Sequence, residues 1–300
     1  MTQSTTTKKP RIIALVGPTA SGKTALGIYL AKKFHGEIIS ADSRQVYCGL
    51  DIGTGKVTKK EMAGVPHYLL DVISPKKQFT VSDFVQHASE AVDAIRQANH
   101  LPFVVGGTGL YTDTFLGRMT YAEVPPNPAL RAELEKKPAP ELFAQLQKID
   151  PRRAATIEKE NPRRLIRAIE IAKAIGASPL PTPTQHYDVL WLGLAPTQET
   201  LYANIRTRLL ARIQEGMVQE AQQLHAQGLS YKRMDELGLE YRFLSQLLQH
   251  AISKEDFVSE LERAIQHYAK RQMRWFKRNK NIHWVQTKEE AAEKVRAFIA

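Results

Sequence analysis

The chain has 300 residues, 43% hydrophobic and 24% charged, with a formal net charge of +11 and a single cysteine, Cys48. Those proportions are those of a soluble globular protein large enough for one big core or two smaller ones. No apolar run approaches the length of a membrane span, one cysteine excludes an internal disulfide framework and fits a reducing cytoplasm, and the positive surplus favours polyanionic partners.

MTQSTTTKKP at 1–10 lacks the apolar core of a secretory signal and is expected to be a short disordered tail. RIIALV at 11–16 reads as a buried strand, and 22–34 as a helix with Leu26, Leu30 and Phe34 on one side. EIIS at 37–40 is a second strand and HYLLDVIS at 67–74 a third. Residues 79–99 form a helix capped by Thr80 or Ser82, with Val81, Phe84, Val85, Ala88, Val92 and Ile95 on its inner face. PFVVGG at 102–107 is another buried strand. Such alternation predicts an α/β core: a parallel sheet with helices on both faces.

The pattern changes after Tyr121. Pro125, Pro126 and Pro128 interrupt the chain, 129–177 reads as helices only, and Pro179, Pro181 and Pro183 close the stretch. An all-helical insertion is therefore expected over 122–186, within a core of 11–121 and 187–300. DVLWLGLA at 188–195 resumes the strand pattern, followed by a long helix over 198–227, another over 254–278, a late strand at 282–285 and a closing amphipathic helix.

The motif richest in chemistry is GPTASGKT: Gly17, Pro18, Thr19, Ala20, Ser21, Gly22, Lys23 and Thr24. It fits G-x-x-x-x-G-K-[ST] between a strand and a helix, the setting of a P-loop. Its backbone N–H groups cradle a phosphate, Lys23 adds a mobile cation, and the Thr24 hydroxyl is placed to ligate Mg²⁺. Nucleotide, ATP or GTP, is the default ligand of that motif. Its usual companions fit poorly, however: Asp71 in LLDV is a weak Walker-B aspartate, and the guanine-reading N-K-x-D is absent.

In parallel sheets the ligand lies beyond the carboxyl ends of the strands. Two such ends concentrate polar groups: ADSRQVY at 41–47 and GGTGLY at 106–111. Asp42 reads as a base, a Mg²⁺ ligand or an N-cap, and Thr108 as a hydroxyl donor or part of a turn. Two basic runs stand out: Arg152 to Lys173, and Arg263 to Lys280, where no acid lies among seven Lys and Arg residues. Solvated helix faces and a polyanion-binding surface both explain them. The histidines, His67 and His87 among them, show no metal spacing and read as ordinary surface or core residues.

Taken together, GPTASGKT, SADSRQVYCGLDIGTGK (40–56), VVGGTGLY (104–111), NPRRLIRAIEI (161–171) and YAKRQMRWF (268–276) closely resemble the tRNA dimethylallyltransferases, also called tRNA isopentenyltransferases, over residues 11–286. The resemblance implies a P-loop that holds the pyrophosphate of dimethylallyl diphosphate. The isoprenoid is then expected to pass to the N6 amine of the adenosine 3′-adjacent to the anticodon, with Mg²⁺ as cofactor. Asp42 is implied as general base, Thr108 as a positioning group, and Arg208 as the cation neutralising the leaving pyrophosphate. Arg206 and Arg212 stand close to it in the same segment. Implied tRNA contacts are Asp42, Ser43, Arg44, Gln45 and Thr108, then Arg163, Arg164, Leu165, Ile166 and Arg167, then Lys270, Arg271, Gln272, Met273, Arg274, Trp275, Phe276 and Lys277. Tyr268, Trp275 and Phe276 read as rings that stack on bases or as core packing, with core packing the favoured reading for Trp275. The tRNA partner is its anticodon stem-loop, and a monomer is expected.

The chain departs from the family at Cys48, where arginine is frequent, and at LGLEYR (237–242), read as a loop. No Cys/His zinc finger follows, so no zinc is expected. The competing readings are an enzyme that prenylates free adenine nucleotide, which has less need of two basic runs, a P-loop kinase of a small metabolite, and a non-catalytic RNA-binding protein.

Overall fold

The computed structural model describes residues 9–179 and 186–300. In chain order the first elements are β1 (Arg11–Val16), α1 (Lys23–Lys33), β2 (Gly36–Ser40), α2 (Lys59–Met62), β3 (His67–Tyr68), α3 (Val81–Gln97), β4 (Leu101–Gly106) and α4 (Gly109–Phe115). Four helices follow: α5 (Pro128–Leu134), α6 (Ala139–Ile149), α7 (Pro151–Ala154) and α8 (Pro162–Ile175). The remainder is β5 (Asp188–Gly193), α9 (Gln198–Gln214), α10 (Met217–Ala226), α11 (Tyr231–Glu236), α12 (Leu239–Leu248), α13 (Lys254–Phe276), β6 (His283–Trp284) and α14 (Lys288–Ile299).

All strand pairings are parallel, in the order β3-β2-β4-β1-β5-β6. β1 sits centrally between β4 and β5. Its side chains alternate between faces: Ile12, Ala14 and Val16 join Phe84 of α3, Leu209 of α9 and Phe276 of α13, while Ile13 and Leu15 join Leu30 of α1 and Val295 of α14. Burial on both faces is why RIIALV is a continuous apolar run rather than an alternating one. Each such Ile or Leu stabilises the fold by roughly 1.5–3 kcal/mol. Thr80, not Ser82, caps α3: its hydroxyl accepts from Asp83 N while Asp83 Oδ2 accepts from Thr80 N. Among the described residues no helix is long and apolar enough to cross a membrane.

Three expected elements differ. Only His67–Tyr68 of HYLLDVIS is strand, because Leu69 (φ 63°) and Asp71 (φ 54°) turn the backbone left-handed; Ile73 then returns as a lone bridge to Tyr47. Asp71 pairs with Lys56 Nζ through Oδ1 at 2.5 Å. The long helix over 198–227 breaks into α9 and α10 at Gly216, whose φ of 103° a helix cannot contain. LGLEYR is not a loop: Gly238 caps α12, which starts at Leu239.

Two compact units divide the chain: one takes in the described residues up to Leu116 and again from His186, and the other begins at Gly117. Leu116, at the end of the first segment, is buried in the sheet unit's core. The second unit holds α5 to α8 around Leu134, Leu142, Leu146, Leu165, Ile166 and Ile169. Three of its helices start at an Asx-Pro pair, with Asn127, Asp150 and Asn161 accepting from the third helical N–H and proline following inside the first turn. Residues 1–8 of the expected tail, and Pro181 and Pro183, lie outside the described residues.

Candidate active site

The carboxyl ends of β1, β2 and β4 meet on one side of the sheet. From β1 the chain enters the P-loop and passes Gly22, at φ 87°, into α1 without a side-chain cap. The first N–H groups of α1 are therefore open to an anion. The Lys23 ammonium donates to Pro18 O at 3.1 Å, and Asn204 Nδ2 of α9 holds Ala20 O at 3.2 Å. Burial draws the Lys23 amine down to about 8, Arg208 adds to that, and Asp42 opposes it. Thr24 is exposed in the cavity described below.

The ends of β2 and β4 are zipped together: Ala41 N donates to Val105 O at 2.9 Å and Thr108 N to Ala41 O at 3.2 Å. A Cβ at Gly106 would collide with the Ala41 carbonyl, so the contact requires glycine. Asp42 then does two things. Its Oδ1 accepts from Arg44 N at 2.8 Å and Gln45 N at 3.4 Å, capping the following turn. None of the described residues donates to Oδ2, so the cap and base readings are compatible. Thr108 does not line the cavity; its Oγ1 accepts from Ser43 N at 3.0 Å and steadies the turn that carries Asp42.

A neighbouring loop completes the rim. Glu220 of α10 accepts from the three consecutive N–H groups of Asp51, Ile52 and Gly53 and from the Tyr241 hydroxyl. Lys56 bridges Tyr47 O, Asp51 and Asp71, and Gln45 Nε2 donates to Gly55 O at 3.3 Å. The three arginines of α9 differ in their partners. Arg206 pairs with Glu262 at 2.9 Å, and Arg212 donates to Gly53 O and pairs with Glu240. Arg208 alone of the three lines the cavity.

That cavity has a volume of about 390 Å³. Lys23, Arg44, Arg208, Arg242 and Arg271 face it against Asp42 and Glu240, so five cations oppose two carboxylates. Ile38, Val57, Val105 and Ile265 supply an apolar wall. His67, read from sequence as ordinary, also lines it. Its Nδ1 meets Val65 O at 2.8 Å, its Nε2 is buried without a partner among the described residues, and burial lowers its pKa against the opposing pull of the Val65 carbonyl. Tyr268 of α13 borders the cavity too, its phenol held protonated by burial and by Asp42. Leu239, Glu240 and Arg242 come from the first turn of α12, in the segment read as a loop.

The basic helix α13 presents two faces. Lys270, Arg271, Arg274 and Lys277 are exposed and Met273 is half-buried. Phe276 is buried in the sheet unit's core, and Trp275 packs against that core and donates from Nε1 to Asp113 Oδ2 at 2.8 Å. Gln272 is buried, with Oε1 accepting from Thr19 N and Nε2 donating to Gly107 O. In the helical unit, Arg163 and Arg164 are exposed, whereas Leu165 and Ile166 are buried. Arg167 is spent on Glu170 Oε2 at 2.6 Å and Val124 O at 2.8 Å. Leu165, Ile166, Gln272 and Phe276 are thus buried, and the half-buried Arg167 and Trp275 already carry internal hydrogen bonds.

Fold and site define a P-loop α/β protein whose phosphate cradle shares one cavity with a carboxylate and an apolar wall. The chain belongs to the IPP transferase family, whose model matches residues 45–279. It is 40% identical over 280 residues to tRNA dimethylallyltransferase 1 of Geotalea uraniireducens, covering 92% of each chain. With tRNA dimethylallyltransferase 2 of Treponema denticola it shares 42% over 287 residues, covering 92% of this chain and 96% of that one. The crystal structure of the full-length tRNA isopentenylpyrophosphate transferase from Bacillus halodurans superposes with a TM-score of 0.72 at 36% identity, over 97% of this chain and 96% of that one. A eukaryotic dimethylallyltransferase acting on tRNA gives 0.77 at 27% identity, over 89% and 70%.

Proposed function

We propose that this enzyme transfers the dimethylallyl group of dimethylallyl diphosphate to the N6 amine of the adenosine 3′-adjacent to the anticodon in tRNA, releasing diphosphate. One observation carries the reading: the Lys23 cradle, Asp42 and the apolar wall of Ile38, Val57 and Val105 line a single cavity. A nucleotide triphosphate needs the cradle but not an apolar wall beside a carboxylate. An alkyl diphosphate attacked by an amine needs all three.

The adenine N6 lone pair is delocalised into the ring, so the amine must shed a proton as the new C–N bond forms. Asp42 Oδ2 accepts that proton while Oδ1 stays on the Arg44 amide. As C–N forms, the allylic C–O bond breaks and its electron pair leaves with the diphosphate. Lys23, Arg208 and the open N–H groups of the P-loop and α1 meet the growing negative charge, in a setting where one preorganised donor typically contributes about 3–4 kcal/mol. Thr108 and Gln45 hold the Asp42 turn in place, and Arg44, Arg271 and Tyr268 border the space left for the base. An anticodon loop is single-stranded, so extruding one base costs only a few kcal/mol.

The donor set also suits Mg²⁺. Thr24 offers a hydroxyl at the cavity, and no cluster of three His, Cys, Asp or Glu exists among the described residues to form an all-protein cage. That is the provision expected of a hard cation carried mainly by phosphate oxygens and one hydroxyl. Bound there, it would neutralise charge on the leaving group. Arg163 and Arg164 of the helical unit, Lys270, Arg271 and Arg274 of α13, and Lys277 just after it, are exposed cations offered to RNA phosphates. The reading takes the enzyme as a monomer that acts on the anticodon stem-loop of its tRNA in the cytoplasm.

The test is to offer dimethylallyl diphosphate and Mg²⁺ with unmodified tRNA, AMP or ATP plus candidate metabolites. Mass analysis of digested tRNA is expected to show N6-prenyladenosine next to the anticodon. Prenylation of AMP alone, or phosphate transfer from ATP, would overturn the reading.

A further inference from the structure

Gln272 lies inside the basic stretch of α13, between Arg271 and Arg274, yet it faces inward and is only 7% exposed. Both ends of its amide are used. Oε1 accepts from Thr19 N at 2.8 Å, and Nε2 donates to Gly107 O at 2.8 Å. Thr19 is the third residue of the P-loop, and Gly107 is the first residue after β4. One side chain from the far end of the sequence thus joins the two loops that flank the phosphate cradle.

The fit around this amide is close. A Cβ added at Gly107 would be driven into Gln272 Nε2, and would also come within 3.5 Å of Gly17 O and Lys23 Nζ. The amide therefore sits against the same loop segment as the Lys23 amine. A P-loop binds phosphate through the directions of its N–H groups, and those directions depend on the loop's shape. By engaging the Thr19 N–H, Gln272 sets the orientation of one peptide unit in that loop. By anchoring to Gly107, it refers that orientation to the end of β4, beside Thr108 and the Asp42 turn.

We infer that Gln272 is a positioning residue that holds the P-loop in its diphosphate-binding shape against the end of β4, and that it does not read RNA. The identity of the transferred group rests on the function proposed above. The test therefore uses inorganic pyrophosphate, whose binding does not depend on that identity.

Pyrophosphate affinity in the presence of Mg²⁺ is compared for the full chain and for Gln272→Met and Gln272→Glu. Methionine keeps the volume and loses both hydrogen bonds. Its affinity is expected to fall about tenfold, the loss typical of one or two hydrogen bonds. An ionised glutamate still accepts from Thr19 N but cannot donate to Gly107 O. Gln272→Glu is therefore expected to bind weakly near about pH 8. Measured against wild type at each pH, it should recover towards about pH 4.5, the ordinary range of a glutamate, as the carboxyl gains a proton that can donate. At the lower pH it should bind pyrophosphate more tightly than Gln272→Met, because only the protonated acid replaces both bonds.

The inference fails if Gln272→Met binds pyrophosphate as wild type does. It fails equally if the glutamate variant shows no recovery at low pH, or if the loss appears only in the KM for tRNA. Should Gln272→Met not fold, the pH series of Gln272→Glu decides alone. A wild-type protein that binds pyrophosphate but prenylates no tRNA would overturn the proposed function and leave this inference standing.

Discussion

Asp42 divides its oxygens between structure and chemistry, and that division makes its substitution informative. Asparagine keeps an oxygen for the Arg44 and Gln45 amides but removes the proton acceptor. Asp42→Asn is expected to lower prenyl transfer by about 10²–10⁴, the range of general-base contributions, with pyrophosphate affinity retained; single-turnover transfer at the wild-type rate would exclude Asp42 as base. Lys23 gives a second expectation, in pH. Burial disfavours its charge and draws the amine down to about 8 in the free protein. Only the protonated form attracts a diphosphate, and the bound anion raises the amine's pKa. Affinity should therefore be level below about pH 8 and fall by up to about tenfold per unit above it. Lys23→Arg, which stays charged, should remove that fall, and calorimetric titration across this range checks both statements.

At the scale of elements, α13 shows how a motif divides between a surface and a core. YAKRQMRWF reads as a single basic, aromatic recognition stretch, but helical periodicity turns Gln272 and Phe276 inward and Lys270, Arg271 and Arg274 outward. Neutralising those three outward cations together is expected to weaken tRNA binding and to reduce the slope of log affinity against log salt by about 2–3, since each phosphate contact contributes about 0.7–0.9. An unchanged slope would place the RNA elsewhere. The same logic separates Arg208 from Arg206 and Arg212. Helix spacing turns Arg206, two residues away, to another face, but Arg208 and Arg212, four apart, share one. Between those two, the Gly53 and Glu240 partners of Arg212 leave Arg208 to the cavity.

For the molecule as a whole, the two units rest on different kinds of interaction. The sheet unit is held by apolar layers on both faces. The helical unit has a smaller apolar core and a buried carboxylate, Glu170, that accepts from Arg131, Asn127 N and Arg167. Burial by itself would raise the pKa of Glu170, but hydrogen bonds from Arg131, Asn127 N and Arg167 outweigh it and hold the group below its ordinary value. A depressed carboxylate contributes stability above its unfolded pKa, and that contribution is lost as pH falls through the folded value. Glu170→Ala is expected to cost about 3 kcal/mol, because it leaves guanidinium groups without their partner. Amide exchange should quicken in α5 to α8 and stay unchanged in β1 and β4. Faster exchange throughout the chain would mean that the two units unfold together.

The amino-acid sequence by itself determined the sheet-and-helix alternation, the P-loop and the polar ends of β2 and β4. Each of these is a local property: an apolar run, a glycine spacing, or a short segment after a strand. Tertiary structure decided what depends on neighbours far along the chain. It gave the Thr108 hydroxyl to Ser43, sent Gln272 to Thr19 and Gly107, brought α12 to the cavity and put His67 on its wall. The physical reason is that side chains such as Gln272 and Arg212 can donate hydrogen bonds in any setting. Which acceptor each one meets is set by packing that joins residues hundreds of positions apart.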